Sequence, residues 1–263
     1  MGTINAKDLR LNIQDKLLLK GLTFSLEEGE SMILVGESGS GKTLLSQLLI
    51  GKRPTDAEIA GTLKVNGKNI LAYGPKDWEK IRGRQIAYIA QNPHGLFNSM
   101  QTIESHGLET FQGLLGLEKE EARTRFKKAL AQFQLKDLDH LLKSYPFELS
   151  GGMLQRVMIA MMMELEPEFL IADEPTSALD SFNTQRVVDM LRICKNKGTQ
   201  LLLITHDYSL LKDLGEKILL LRQGEQMEFG RVEDLMDHAK TPYGQALLAK
   251  REYKRYQEVA HED

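Results

Sequence analysis

The feature that most constrains this chain is a glycine-rich loop between an apolar segment and a helix-forming segment. The run Ser31–Val35 predicts a short buried strand, and the leucines of Leu44–Leu49 recur at helical spacing. Between them lies Gly36–Thr43, GESGSGKT, which fits G-x-x-x-x-G-K-[ST] without a gap. This order of strand, loop and helix favours an α/β fold with a ligand at the carboxyl end of the strand.

The loop has the composition of a phosphate-binding loop. Glycines let several backbone N–H groups face one point, and the following helix start adds positive potential. Lys42 supplies a charge near the β- and γ-phosphates, and Thr43 supplies a hydroxyl for Mg²⁺. We therefore predict that ATP and Mg²⁺ bind here, through Gly36, Glu37, Ser38, Gly39, Ser40, Gly41, Lys42 and Thr43.

A second apolar segment, Phe169–Glu174 (FLIADE), ends in two acids. Acids at the carboxyl end of a strand lie where α/β sheets bind ligands. We predict that Asp173 holds Mg²⁺ and that Glu174 polarises a water in line with the γ-phosphate. The alternative is a strand that simply ends in solvated acids. The phosphate loop in the same chain makes the Mg²⁺ and water roles the favoured interpretation.

A third motif, Leu149–Arg156 (LSGGMLQR), predicts another anion site. Ser150 is a good N-cap, and Gly151 and Gly152 let backbone N–H groups face outward at a helix start. Because one nucleotide does not need two such sites, the motif is predicted to complete the ATP site of another chain. By itself, a serine and two glycines before a helix are usually only a cap.

Hydrophobic patterning predicts one domain over residues 1–263. Residues 1–30 alternate apolar and polar, as in an antiparallel sheet, and residues 104–163 are mostly helical. Strands and a helix near 183–195 alternate again from Phe169 onward, which favours a parallel sheet with helical crossovers. We predict a P-loop α/β core with an N-terminal antiparallel β-subdomain and a helical subdomain inserted at about 95–162.

Composition disfavours several other classes of protein. The net charge of −3 gives no basic footprint for nucleic acid, and a single cysteine, Cys194, forms no internal disulfide. The longest apolar run, Val157–Met163, is far shorter than the about 20 residues of a membrane-spanning helix. We expect any membrane role to come through partners, the methionines at 161–163 to fill core, and the basic residues 250–255 to be a solvated helix end.

The order of these motifs resembles the ATP-binding cassette (ABC) superfamily, in which LSGGxxQR is close to diagnostic. The resemblance covers almost the whole chain and implies two cassettes packed head to tail around two ATP molecules. It also implies that Gln91 senses Mg²⁺ and contacts a membrane partner, that Ser177–Asp180 crosses the dimer interface, and that His206 contacts the γ-phosphate. The family usually stacks adenine on an aromatic residue, and here Ile13 stands at that position.

Within the family, the chain most resembles the cassettes of nickel, metallophore and peptide importers. The segments around Gln91, over Tyr145–Met161 and over 241–248 (TPYGQALL) carry this likeness. Many peptide-importing cassettes have a longer tail with clustered cysteines, so we expect a metal or metal-chelate importer ahead of a peptide importer. The expected partners are a second, different cassette, two transmembrane permease subunits and an extracellular solute-binding protein, with the chain at the cytoplasmic face of the membrane.

Two other functions are compatible with the same motifs. A soluble ABC ATPase that acts outside transport usually has two cassettes in one chain or long coiled-coil insertions, and neither is visible here. A non-hydrolysing regulatory cassette is disfavoured by the predicted catalytic residues Lys42, Glu174 and His206.

Overall fold

The structure is a computed structural model that describes residues 2–177, 179–207 and 210–248. The basic residues 250–255 and Ala178 of the predicted interface loop lie outside this range. The strands are β1 (Ile4–Ile13), β2 (Lys16–Leu26), β3 (Met32–Val35), β4 (Ala57–Val65), β5 (Lys68–Asn69), β6 (Ile86–Ile89), β7 (Phe169–Asp173), β8 (Gln200–Ile204), β9 (Lys217–Arg222) and β10 (Glu225–Arg231).

The helices include most of the segments predicted to be helical. They are α1 (Lys42–Leu49), α2 (Pro75–Ile81), α3 (Ile103–Leu115), α4 (Lys119–Gln132), α5 (Leu138–Lys143), α6 (Gly151–Glu164), α7 (Ser181–Asn196), α8 (Leu211–Leu214) and α9 (Val232–His238). Short 3₁₀ helices span Ile70–Ala72, Pro93–Gly95 and Pro146–Glu148, and residues 242–248 are helical. Within the described ranges, no helix is long and apolar enough to cross a membrane.

The described residues form two compact units, one from 2–78 and 200–248 and the other from 79–199. In the first unit, β2, β1, β4 and β5 form an antiparallel sheet in that order. The turn between β4 and β5 lies at Asn66 and Gly67, and both residues have positive φ. In the same unit β3 pairs in parallel with β8 and β9, and all four residues of β3 are fully buried.

The second unit combines one parallel strand pair with a helical core. Strand β6 pairs with β7 in the register Ile86 to Phe169 and Ile89 to Ala172. Among the helices, Phe111 and Phe126 meet edge to face with ring centroids 5.6 Å apart, and both are fully buried. Each such side chain contributes about 1.5–3 kcal/mol through the area that it removes from water.

Helix α6 is the most deeply buried of these helices. Met161 and Met163 are only 4% and 6% exposed and fill core as predicted, whereas Met162 between them is half-buried. Cys194 of α7 is also fully buried, and burial raises the pKa of its thiol to about 12. The combination of parallel strands, helical crossovers and an antiparallel N-terminal sheet confirms the predicted α/β fold.

The contact between α3 and α4 leads to a stability prediction. A methyl group added at Gly107 would lie 2.1 Å from the ring of Phe126, whereas one at Gly113 of the same helix meets nothing within 4 Å. We expect Gly107→Ala to lower the free energy of unfolding by about 1–3 kcal/mol through overpacking. Gly113→Ala should raise it by about 0.5–1 kcal/mol, because glycine is a poor helix former. Urea denaturation measures both, and equal stability of the two variants would contradict this packing.

Candidate active site

The phosphate loop of the first unit begins where β3 ends and closes at the start of α1. Gly39 and Gly41 have φ of 75° and 104°, which L side chains rarely adopt. A methyl group at Gly36 would lie 2.2 Å from the Leu221 carbonyl oxygen of β9. The loop therefore follows a path that only glycine permits at these positions.

The start of α1 has the electrostatics of an anion site. Its N-cap, Gly41, offers no side-chain cap, and the first turn carries no acidic residue. The ammonium group of Lys42 is buried and donates to the carbonyl oxygens of Gly36 and Glu37 at 2.7 and 2.9 Å. Thr43 is exposed in the first turn of the helix. The positive helix terminus and this ammonium group therefore lie at the same loop, which suits a phosphate.

Two further predicted residues belong to the first unit. Strand β8 runs parallel to β3 with Leu34 opposite Ile204, so the exposed His206 leaves the same sheet edge as the phosphate loop. Ile13 ends β1 and is half-buried. In the next strand, Leu19 lies 2.9 Å from where a methyl group at Gly41 would be. The hairpin that bears Ile13 thus packs on the loop, and the adenine role of Ile13 stays a prediction.

In the second unit, the parallel strands β6 and β7 bring Gln91, Asp173 and Glu174 to one edge. Asp173 is 3% exposed and accepts a hydrogen bond from the Tyr88 hydroxyl at 3.3 Å. The Gln91 amide donates to the Glu174 carboxylate at 3.0 Å. Glu174 has a φ of 45°, a left-handed conformation that is costly for this residue type. The backbone turn and the contact with Gln91 therefore fix where its carboxylate lies.

The helix start at the LSGG motif is capped as predicted. The Ser150 hydroxyl accepts from the Met153 N–H at 3.3 Å, and Gly151 is exposed with open space where a side chain would be. Gly152 differs, because a methyl group there would lie 2.8 Å from the Asn183 side chain. Only Gly151 can therefore carry an added side chain without disturbing the fold.

Asp180 caps helix α7 and reaches the LSGG motif through Asn183. Its two carboxylate oxygens accept from the Asn183 backbone N–H at 2.9 Å and side-chain amide at 2.8 Å. These hydrogen bonds lower the pKa of Asp180, so it stays ionised near neutral pH. The Asn183 side chain thus contacts both Asp180 and Gly152, and it connects the predicted interface loop to the LSGG helix.

A cavity of about 390 Å³ connects three of the predicted elements in this unit. Its walls include Gln91, the exposed Gly151, Ser177 and Leu179, and also the buried Gln155. Within the described residues, the Gln155 side-chain nitrogen has no hydrogen-bond partner. The cavity is thus bounded by the Gln91 loop, the LSGG helix and the loop before Asp180.

Sequence reasoning missed Tyr88, Asn183 and Tyr243. Tyr88 lies on β6, three residues before Gln91. Asn183 lies in the first turn of α7, three residues after its N-cap Asp180. The Tyr243 hydroxyl accepts a hydrogen bond from the backbone N–H of Glu37 in the phosphate loop. Tyr243 lies in the segment TPYGQALL and Tyr88 in the segment around Gln91, which both carry the family likeness, whereas Asn183 lies in neither.

A family model described as "ABC transporter" matches residues 19–177. The oligopeptide transport ATP-binding protein AmiE of Streptococcus pneumoniae is 34% identical over 253 residues, which are 94% of this chain and 71% of AmiE. The metal-staphylopine import system ATP-binding protein CntD of Staphylococcus aureus is 31% identical over 236 residues, 89% of this chain and 87% of CntD.

Solved structures agree with this assignment. The ATP-binding subunit of an ABC transporter has a TM-score of 0.76 and 28% identity, covering 94% of this chain and 99% of that chain. A dimeric cassette, MJ0796, in a post-hydrolysis state bound to ADP and phosphate has a TM-score of 0.75 and 24% identity, covering 87% and 98%, and supports the fold alone. The chain belongs to the ABC transporter family, and it is an ATP-binding cassette that hydrolyses ATP.

The position of Lys42 leads to a binding prediction. Lys42→Ala should weaken ATP binding about tenfold or more and abolish hydrolysis, because it removes the charge that offsets the triphosphate. Lys52→Ala, which removes an exposed lysine just after α1, is the matched control and should bind like the wild type. Calorimetric titration with ATP measures both. Wild-type affinity in Lys42→Ala would show that the phosphates bind elsewhere.

Proposed function

We propose that this chain is the ATP-hydrolysing subunit of an importer and that residues 1–263 form one ATP-binding domain with a helical insertion at about 95–162. The observation that supports it most directly is the presence of two anion-binding helix starts, at Lys42 and at Gly151, in one cassette. The similarity to AmiE and CntD, both import or transport ATP-binding proteins by name, supports the transport role.

In this proposal the first unit holds the triphosphate. The N–H groups of residues 36–43 and the Lys42 ammonium group bind the phosphates, while Ile13 contacts the adenine. His206 contacts the γ-phosphate. The location of the loop and of His206 at one sheet edge supports these roles.

The second unit supplies the groups for hydrolysis. For Mg²⁺, which prefers oxygen ligands and is usually held by one or two carboxylates and phosphates, we propose Asp173 and Gln91 of this unit as ligands, together with Thr43 of the phosphate loop. No group of three or more His, Cys, Asp or Glu side chains in the described part of the chain forms a separate metal site. When bound, Mg²⁺ neutralises charge on the phosphates. Glu174, held by Gln91, polarises the attacking water.

The LSGG motif acts on the ATP of an opposite cassette. Ser150, Gly151 and Gly152 offer N–H groups to its γ-phosphate, and Asp180 lies at the interface between the cassettes. The open surface at Gly151 supports this arrangement, because a second polypeptide can approach the helix start there. We propose that the second cassette is a different chain, so that the pair is a heterodimer.

Two permease subunits and a solute-binding protein complete the proposed transporter. The cassettes then lie on the cytoplasmic face of the membrane, attached through the permeases, with Gln91 near the contact. For the cargo we propose nickel or a metal chelate, supported by the likeness to CntD over 87% of that protein. An oligopeptide is the second candidate, since AmiE is 34% identical over 94% of this chain. Identifying the ligand that co-purifies with the solute-binding partner tests the cargo.

The role of Glu174 predicts a separation of binding from hydrolysis. Glu174→Gln should lower the ATPase rate by about 10²-fold or more while ATP binding persists, because the water loses its polarising group. The variant should accumulate as an ATP-bound dimer. Glu121→Gln on the exposed face of α4 is the control and should leave the rate unchanged. Steady-state turnover near the wild-type rate in the assembled transporter would reject the assignment.

The opposite-chain role of the LSGG motif can be tested at Gly151. Aspartate at this first helical position suits the helix terminus, and its Cβ has no neighbour within 4 Å, whereas the Cβ of Gly152→Asp would lie 2.8 Å from the Asn183 side chain. Gly151→Asp should repel the γ-phosphate of the partner's ATP. Paired with an intact partner cassette, it should lower ATPase activity at the partner's site.

When the partner's own phosphate loop is inactive, Gly151→Asp should cause no further loss of ATPase activity. ATP on this chain's Lys42 should still bind. Loss of binding at its own phosphate loop, in a folded Gly151→Asp chain, would reject the shared-site architecture.

A further inference from the structure

Tyr243 connects the helical segment 242–248 to the start of the phosphate loop. Its hydroxyl accepts from the Glu37 N–H at 3.3 Å and donates to the Leu221 carbonyl oxygen at 3.3 Å. Burial raises the pKa of this hydroxyl, so it stays protonated near neutral pH and remains a donor. The Arg222 guanidinium lies 5.2 Å from the ring centroid. The side chain is thus held at both its ring and its hydroxyl.

The segment that bears Tyr243 is anchored by a buried carboxylate. Glu228 of β10 is 8% exposed and accepts from the backbone N–H groups of Lys240 and Thr241, both at 2.9 Å, and from the Thr241 hydroxyl at 2.5 Å. Burial alone raises the pKa of Glu228, but these hydrogen bonds outweigh it and leave the pKa lowered. We call residues 240–248 the strap.

The strap has little freedom to move away from this anchor. The Gly244 N–H donates to the Thr241 hydroxyl at 3.0 Å, and a methyl group at Gly244 would lie 2.3 Å from the Glu228 carboxylate. Leu247 and Leu248 are both only 6% exposed. The position of the Tyr243 hydroxyl is therefore fixed by the turn before the helix and by buried leucines after it.

Strand β9 contacts the phosphate loop beside Tyr243. The Gly224 N–H, in the turn after β9, donates to the Ser40 carbonyl oxygen at 3.0 Å. Gly36 lies directly against the Leu221 carbonyl that also accepts from Tyr243. The first residues of the loop are thus held from two sides, by the end of β9 and by the strap.

We propose that Tyr243 is a positioning residue for ATP: it holds the backbone at Glu37 so that the following N–H groups converge on the phosphates. A loop already held in its binding geometry loses less conformational entropy when the ligand arrives. The gain appears in affinity and not in the chemical step, because the hydroxyl contacts the loop and not the reacting atoms. This inference rests on the proposed binding of the triphosphate by residues 36–43.

The test is Tyr243→Phe, which removes only the hydroxyl. We expect calorimetry to show a loss of ATP affinity of about three- to tenfold, the amount expected for one hydrogen bond. The value of kcat should stay within about twofold of the wild type. Amide hydrogen exchange over residues 36–41 should become faster. Tyr73→Phe is the matched control, since its ring packs on Trp78 in the same unit and no hydrogen bond of its hydroxyl is seen in the described residues.

A second variant acts at the anchor. Glu228→Gln places an amide N–H₂ against N–H donors and should release the strap, with the same loss of affinity and the same faster exchange in the loop. Wild-type affinity and exchange in both variants would overturn the inference. So would a loss of thermal stability with no change in loop exchange, because Tyr243 would then only pack. If Lys42→Ala retains ATP binding in parallel, the proposed phosphate site fails instead.

Discussion

Parallel pairing of buried strands is the interaction on which the candidate site depends. Each strand of a parallel pair ends on the same side, so groups that are far apart in sequence leave the sheet at one edge. In the first unit this pairing joins β3 to β8 and brings the phosphate loop and His206 to that edge. In the second it joins β6 to β7 and brings Gln91 to Glu174. Shifting either register by one residue would turn the side chains of that strand to the opposite face of the sheet.

Steric limits at the loops then fix the chemistry in finer detail. Gly36 leaves no space between the loop and the Leu221 carbonyl, and Gly152 leaves none beside Asn183. At both positions the backbone itself packs against its neighbour, and there is no room for a side chain. The N–H groups of the two helix starts therefore stay accessible, and their positions depend on close packing instead of on flexible side chains.

The sequence predicted most of this because its motifs are local. The runs Met32–Val35 and Phe169–Ala172 are uniformly apolar, and β3 and β7 match them within one residue. The turn at Asn66 and Gly67 was predictable from residues that tolerate positive φ. What escaped prediction is long-range: Tyr243 bonds Glu37 across 206 positions, and Tyr88 bonds Asp173 across 85. Periodicity reports which face of an element is buried, and it carries no information on which distant hydroxyl reaches which acceptor.

The two anion-binding helix starts are unequal, and the inequality explains why one cassette would need another. Helix α1 begins with Lys42, whose ammonium group lies beside the loop. Helix α6 has a single basic residue, Arg156, and its guanidinium is buried and donates inward to the Gly152 carbonyl oxygen at 3.2 Å. This burial lowers the pKa of Arg156, whose guanidinium lies inside the protein against the first turn of α6. The LSGG motif therefore offers N–H groups and a helix terminus, worth about 0.3–1 kcal/mol at an exposed surface, to a charge-rich ligand. This difference between the two helix starts supports the proposal that the LSGG motif acts on ATP already bound by a lysine of another cassette.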